Sequence, residues 1–259
     1  MPEGNGCGGH GGHGGHGGCC GRCECYRRYG HGGRYFPITG KSVSLQSQNK
    51  EGMIKAVVFD MGGVIVRLDM DTCIANFKKL AGFEDIEDYL DRFHQKGFIS
   101  DLEEGLTEPE DFYRECLRHS RPGTTEETAR YCFCSLLDGV EQDSIELIRS
   151  LRGRYDLYVL SNNNPISRAY FCDMLRKNGL DPDVVFKKQF YSYEMKMLKP
   201  AKAVYEHVID SIGAKPEEIL FIDDARDNIE AAQTAGITTL WLRPGMDIAQ
   251  ETERILAEK

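Results

Sequence analysis

No run of apolar residues in this 259-residue chain approaches the roughly 20 a membrane-spanning helix needs. The N-terminus has no apolar stretch of the kind that marks a secretory signal, so a cytoplasmic protein is expected. An excess of basic charge is also missing. The formal net charge is -9, which argues against a general nucleic-acid or membrane-surface binder. Nor is there an internal repeat or a second C-x-x-C pair to match Cys20 and Cys23, so no standard zinc spacing closes. The ten cysteines do not form a disulfide pattern. Five crowd the N-terminal segment (Cys7, Cys19, Cys20, Cys23, Cys25), and five lie in helical patterns (Cys73, Cys116, Cys132, Cys134, Cys172) where a free thiol serves as a small apolar side chain. A reducing compartment follows.

Residues 1–52 differ from the rest. GGHGGHGGHGG followed by CCGRCEC has too few large apolar residues to offset the entropy of ordering, so a low-complexity, disordered extension is expected. Two other readings stay open. His10, His13, His16 and His31 with the five cysteines suit Zn, Ni or Cu, and Met53 directly precedes the first core strand, where a natural start would lie.

The ordered chain is arranged around IKAVVFDMGGVIVRLD, Ile54 to Asp69. Its Val-rich opening reads as a strand buried on both faces, as in a parallel sheet. The strand stops on Asp60, followed by Gly62 and Gly63, a layout that puts a carboxylate and close-approaching backbone at a ligand site. Val64 to Leu68 reads as a loop. From Asp71 the apolar period turns helical, with helices expected at Glu108 to His119 and Thr125 to Leu137 among about four in all. At about 70 residues, this segment is too long for an ordinary strand–helix connection, so 71–138 is expected to be an inserted helical cap. Within it Phe93, His94 and Glu104 are candidate substrate contacts, each equally explained as cap core or surface.

Beyond the cap, strands and helices alternate: helix Ser144 to Arg152, strand Asp156 to Leu160, helix Ile166 to Asn178, a strand around Phe190 to Tyr193, helix Ala203 to Ile212, strand Ile219 to Ile222, helix Asp227 to Ala235, strand Thr238 to Leu242 and a surface helix Asp247 to Glu258. This predicts an α/β core of residues 53–70 and 139–259 built on a doubly wound parallel sheet. Its strand ends carry Asp60, Ser161-Asn162 and Asp223-Asp224, with Lys199 and Asn228 beyond them. Taken singly, Lys199 is an ordinary solvated lysine and Asp223-Asp224 a helix N-cap pair. Together at one sheet edge they form a coherent set: Asp60 and Asp224 for a hard Mg2+ ion, Lys199 for phosphate or nucleophile charge, and the Ser161 hydroxyl for phosphate oxygens.

The motifs VVFDMGGV, YVLSNN, LKP and FIDDARDN occur in the order expected of the haloacid dehalogenase-like (HAD) superfamily, which the core from Met53 to Leu242 resembles. Within it the wording, with GLTEPEDF and KPAKAVYEHVI, is similar to bacterial α-D-glucose-1-phosphate phosphatases and more loosely to the phosphatase domain of epoxide hydrolases. The resemblance implies a Rossmann-like HAD sheet and a phosphatase acting on a small-molecule phosphate ester, with neither nucleic acid nor membrane as a partner. It implies Asp60 as nucleophile, forming an aspartyl-phosphate; Mg2+ held by Asp60, the Gly62 carbonyl and Asp224; Asp223 and Asn228 in support; Ser161, Asn162 and Lys199 on the phosphoryl group. One departure stands out. Most phosphatases of the superfamily carry a general acid/base Asp where this chain has Gly62, a loss worth about 100- to 10,000-fold. The resembling sugar-phosphate phosphatases also have glycine there, which favours an active enzyme. A catalytically weak phosphometabolite-binding module and a metal-free haloacid dehalogenase are the alternatives; the acidic pair argues against the latter.

Overall fold

A computed structural model of the chain describes residues 53–91 and 95–259. The expectations for residues 1–52, and those for Phe93 and His94, lie outside the described residues.

Strand β1 (Ala56–Phe59) is fully buried and is followed by β2 (Val66–Leu68). Helix α1 (Met70–Asn76) starts at Asp69, whose carboxylate accepts the Thr72 N–H at 2.9 Å, and runs into a π-helical turn, Phe77–Ala81. Helices α2 (Gly97–Glu103), α3 (Pro109–His119) and α4 (Glu126–Cys134) follow. The chain then forms β3 (Leu137–Val140), α5 (Gln142–Leu151), β4 (Asp156–Ser161), α6 (Pro165–Lys177), α7 (Pro182–Val185), β5 (Lys188–Tyr191) and α8 (Ser192–Met195). Helix α9 (Lys202–Ile212), β6 (Ile219–Asp223), α10 (Arg226–Thr234), β7 (Thr238–Trp241) and α11 (Ile248–Glu258) complete it.

Five strands pair in the order β5-β4-β1-β6-β7, every pair parallel, so the chain is an α/β fold with β1 at the centre. Alternation along β1 builds both layers. Val57 and Phe59 join one apolar cluster with residues of α5, α6 and α11, while Ala56 and Val58 join another with α9 and α10. The helices between β2 and β3 have their own cluster, centred on Phe77, Phe83, Phe112 and Phe133, all essentially buried. The five described cysteines are free and buried, four of them in that third cluster.

Several local expectations need correction. The helix expected over Thr125 to Leu137 ends at Cys134, because Leu137 enters β3 and pairs with Leu68. Val64 to Leu68 is not all loop: β2 and β3 form an antiparallel ribbon at the base of the helical segment. The third core strand in chain order is Lys188–Tyr191 rather than Phe190 to Tyr193, and Ser192 begins a helical turn. Helix α11 is more than a surface element, since Ile248, Ile255 and Leu256 pack into the core.

Phe171 on α6 is completely buried against the sheet. Phe171→Ala should destabilise the protein by about 3–5 kcal/mol, read as a lower urea midpoint.

Candidate functional site

All five core strands point the same way, so β1, β4, β5 and β6 end at one edge. A cleft of about 760 Å³ opens there, lined by Asp60, Gly62, Ser161, Asn162, Lys199, Asp224 and Asn228 from the sequence-derived set. Asp223 lies directly beneath, fully buried. The structure thus brings together residues up to 168 positions apart, counted from Asp60 to Asn228 (228 − 60).

The centre is an ion cluster around Lys199. Its Nζ lies 2.9 Å from Asp60 Oδ1 and 2.7 Å from Asp223 Oδ2, and donates to the Leu160 carbonyl at 3.2 Å. Asp60 Oδ1 also accepts the Met61 N–H at 2.6 Å, which makes Oδ2 the oxygen available to a ligand. Asp223 is held from below: its Oδ1 accepts the Ala225 N–H at 2.7 Å, and Asn228 Nδ2 donates to both its oxygens at 3.1 and 3.0 Å. Asn162 positions the lysine. Its Oδ1 accepts the Lys199 N–H at 2.8 Å and its Nδ2 donates to the Lys199 carbonyl at 3.0 Å, so this side chain grips the Lys199 backbone. Ser161 sits buried at the end of β4.

Burial pushes the Asp60 carboxyl up to about 7; Lys199 opposes this, and the neighbouring Asp223 and Asp224 carboxylates reinforce it. Burial would pull the Lys199 ammonium down, but Asp223 and Asp60 outweigh it and hold it above the ordinary lysine value. Carboxylate oxygens of Asp60, Asp223 and Asp224 fall within 4.8 Å of one another. Three carboxylates around one ammonium leave negative charge uncompensated, and all the donors are hard oxygens. That donor set fits a small divalent cation.

The two glycines have different reasons to be there. Gly63 has φ of +71°, and a Cβ on it would lie 2.2 Å from Asp224 Oδ2, so the backbone passes against that carboxylate. A Cβ on Gly62 would lie 3.0 Å from Leu68 Cδ1. Leu68 therefore takes up the space beside Gly62, the position at which a general acid/base aspartate is expected from the sequence resemblance and none is present.

Other polar residues in the cleft wall or buried just behind it were given no role by the sequence reading. Asn163 and Asn164 are buried; Asn163 Oδ1 accepts the Asn164 N–H at 2.8 Å, and Asn164 caps α6. Ser192, one residue beyond β5, accepts the Asn163 N–H at 2.9 Å and donates to the Glu103 carbonyl at 2.6 Å. It obeys the same rule as Asp60 and Ser161, a polar residue where a buried strand stops. Glu103, rather than the Glu104 considered from sequence, lines the cleft; Glu104 is bonded to Ser100 Oγ at 3.3 Å.

Folding keeps Asp60 protonated to about 7, whereas the unfolded chain releases that proton near 3.8. The native state then holds the extra proton across this window, so stability falls as pH rises through it. Without divalent cations, the melting temperature of the wild type should fall relative to Asp60→Asn between those pH values, and an added divalent cation should flatten the difference.

The family profile of haloacid dehalogenase-like hydrolases matches residues 54–236. A D-ribitol-5-phosphate phosphatase of Bacteroides thetaiotaomicron is 32% identical over 205 residues, covering 79% of this chain and 99% of that protein. A sesquiterpene phosphatase of Aspergillus oryzae is 27% identical over 206 residues, covering 78% and 96%. A crystal structure of a HAD family enzyme from Bacteroides thetaiotaomicron, an Asp-to-Ala mutant in complex with magnesium and inorganic phosphate, superposes with a TM-score of 0.73 at 31% identity, over 77% of this chain and 98% of that one. With its motifs gathered at one sheet edge and these relatives spanning its core, the chain belongs to the haloacid dehalogenase-like hydrolase family.

Proposed function

We propose that the protein is a Mg2+-dependent phosphatase that hydrolyses a small phosphorylated metabolite, a sugar or sugar-alcohol phosphate, through an aspartyl-phosphate on Asp60. The observation that carries this reading is the Asp60 carboxylate at the cleft floor, 2.9 Å from a buried Lys199. Phosphatases of a sugar-alcohol phosphate and of a sesquiterpene phosphate among the relatives support the reaction class.

Asp60 attacks phosphorus, the ester P–O bond breaks, and the alcohol leaves with a proton taken from water. Water then attacks the phosphoryl group, the P–O bond to Asp60 breaks, and phosphate departs with the carboxylate restored. A covalent intermediate splits one hard displacement into two easier ones. Lys199 holds Asp60 in place and offsets the charge of the phosphoryl oxygens. Asn162 fixes the Lys199 backbone, and Asp223 with Asn228 fixes the ammonium from the other side. Ser161 stands at the phosphate end of β4. Asp60, Asp224 and the Gly62 carbonyl would hold Mg2+, which when bound offsets repulsion between the carboxylate and the phosphate dianion. The helical segment between β2 and β3 contributes Glu103 and Phe133 to the cleft wall and acts as a cap that excludes water. With Gly62 in place of an aspartate, proton delivery to the leaving alcohol falls to solvent, so esters with good leaving groups should turn over fastest.

Hydrolysis of p-nitrophenyl phosphate should require Mg2+, stop on chelation, and fall at least about a thousandfold in Asp60→Asn. Tight phosphate-ester binding with no turnover would instead identify a binding module. Gly63→Ala should displace the Asp224 carboxylate and weaken Mg2+ binding by about tenfold or more, read by calorimetry.

A further inference from the structure

Several titratable groups line the cleft without a task in the mechanism above, and Glu103 is the one among them that is neither exposed nor already held by a hydrogen bond or ion pair within the described residues. It ends α2, on the wall contributed by the helical segment. Its backbone is tied to the core. Ser192 Oγ donates to the Glu103 carbonyl at 2.6 Å, and two residues on the Lys196 ammonium donates to the Gly105 carbonyl. Gly105 itself has φ of +66°, and a Cβ on it would lie 2.2 Å from the Tyr193 carbonyl oxygen, so the two backbones meet there without room for a side chain. These contacts seat the end of α2 on the core and fix where Glu103 stands relative to Ser192 and Asn163.

Its carboxyl has no hydrogen bond or ion pair among the described residues. Burial alone pushes it up to about 8, so near neutral pH it is mostly uncharged and can both donate and accept a hydrogen bond. A partly desolvated polar group with no protein partner is costly unless a ligand supplies one. The cleft's cations, among the described residues, are already engaged: Lys199 with Asp60 and Asp223, and Arg67 with Asp138 and Glu141 at 3.3 and 3.6 Å. The group that suits Glu103 is therefore neither a second anion nor a hydrocarbon tail. A hydroxyl suits it in either protonation state.

We propose that Glu103 is a specificity-determining residue that hydrogen-bonds hydroxyl groups on the alcohol portion of the phosphate ester, selecting a polyol phosphate over an alkyl phosphate of the same length. This rests on the phosphatase reading above. A site arranged to bond a hydroxyl rejects the analogue lacking it, because its own polar group is then left unpaired.

The test compares wild type, Glu103→Gln and Glu103→Ala, as the full chain with Mg2+, on a pentitol phosphate, pentyl phosphate and p-nitrophenyl phosphate. In the wild type kcat/KM should favour the pentitol ester over the pentyl ester. That ratio should fall by about tenfold or more in Glu103→Ala, chiefly through a higher KM for the pentitol ester. The near-isosteric Glu103→Gln, whose amide still donates and accepts, should keep part of the ratio. A purely structural role would lower turnover of both esters alike and leave the ratio where it was. An unchanged ratio in both variants overturns the assignment of Glu103 while leaving the phosphatase reading intact. No turnover of any of the three esters by the wild type overturns that reading, and this one with it.

Discussion

The site depends on one buried ammonium. Lys199 sits between two carboxylates inside the protein, and without it Asp60 and Asp223 would face each other across low-dielectric space. Its attachments come from several elements: a side-chain contact with the Leu160 carbonyl at the end of β4, an amide clamp from Asn162 in the following loop, and Asp223 at the end of β6. The strand order that places β1 between β4 and β6 is thus a requirement of the charge cluster as well as of the apolar layers. The same parallel pairing that buries Val57 and Phe59 on one face, and Ala56 and Val58 on the other, delivers the three strand ends to one ion.

The ammonium leaves the cluster short of positive charge by design of its composition: three carboxylates, one lysine. The deficit accounts for the elevated Asp60 carboxyl, and it also accounts for an affinity for hard cations. Proton and metal ion are therefore competitors for the same oxygens.

What was legible in the sequence follows from how each signal arises. Buried parallel strands write continuous apolar runs, so β1, β4 and β6 stood out, and the polar residue that stops each run marked the site. The ribbon of β2 and β3 gave no such run. Its residues include exposed Arg67, Leu68 and Asp138, and Gly139 reads as a turn. Edge strand β5 begins with exposed Lys188, which masked its start. Glu103 and Glu104 were indistinguishable by letter, because a seven-residue helix carries too few apolar positions to set its phase; only packing against Ser192 and Tyr193 decides which of the two faces inward. Asn162 was legible as a polar strand-end residue, but its clamp on the Lys199 backbone depends on a loop 37 positions away.

Leu68 has a meaning beyond the hydrophobic contact it makes over Gly62. It is 46% exposed, yet its Cδ1 would stand only 3.0 Å from a Cβ at 62. Placing a carboxylate there would turn an already half-wetted leucine farther into water. Whether position 62 can carry any side chain is thus set by how readily the leucine tip at 68 swings aside, a barrier that a smaller residue at 68 would remove.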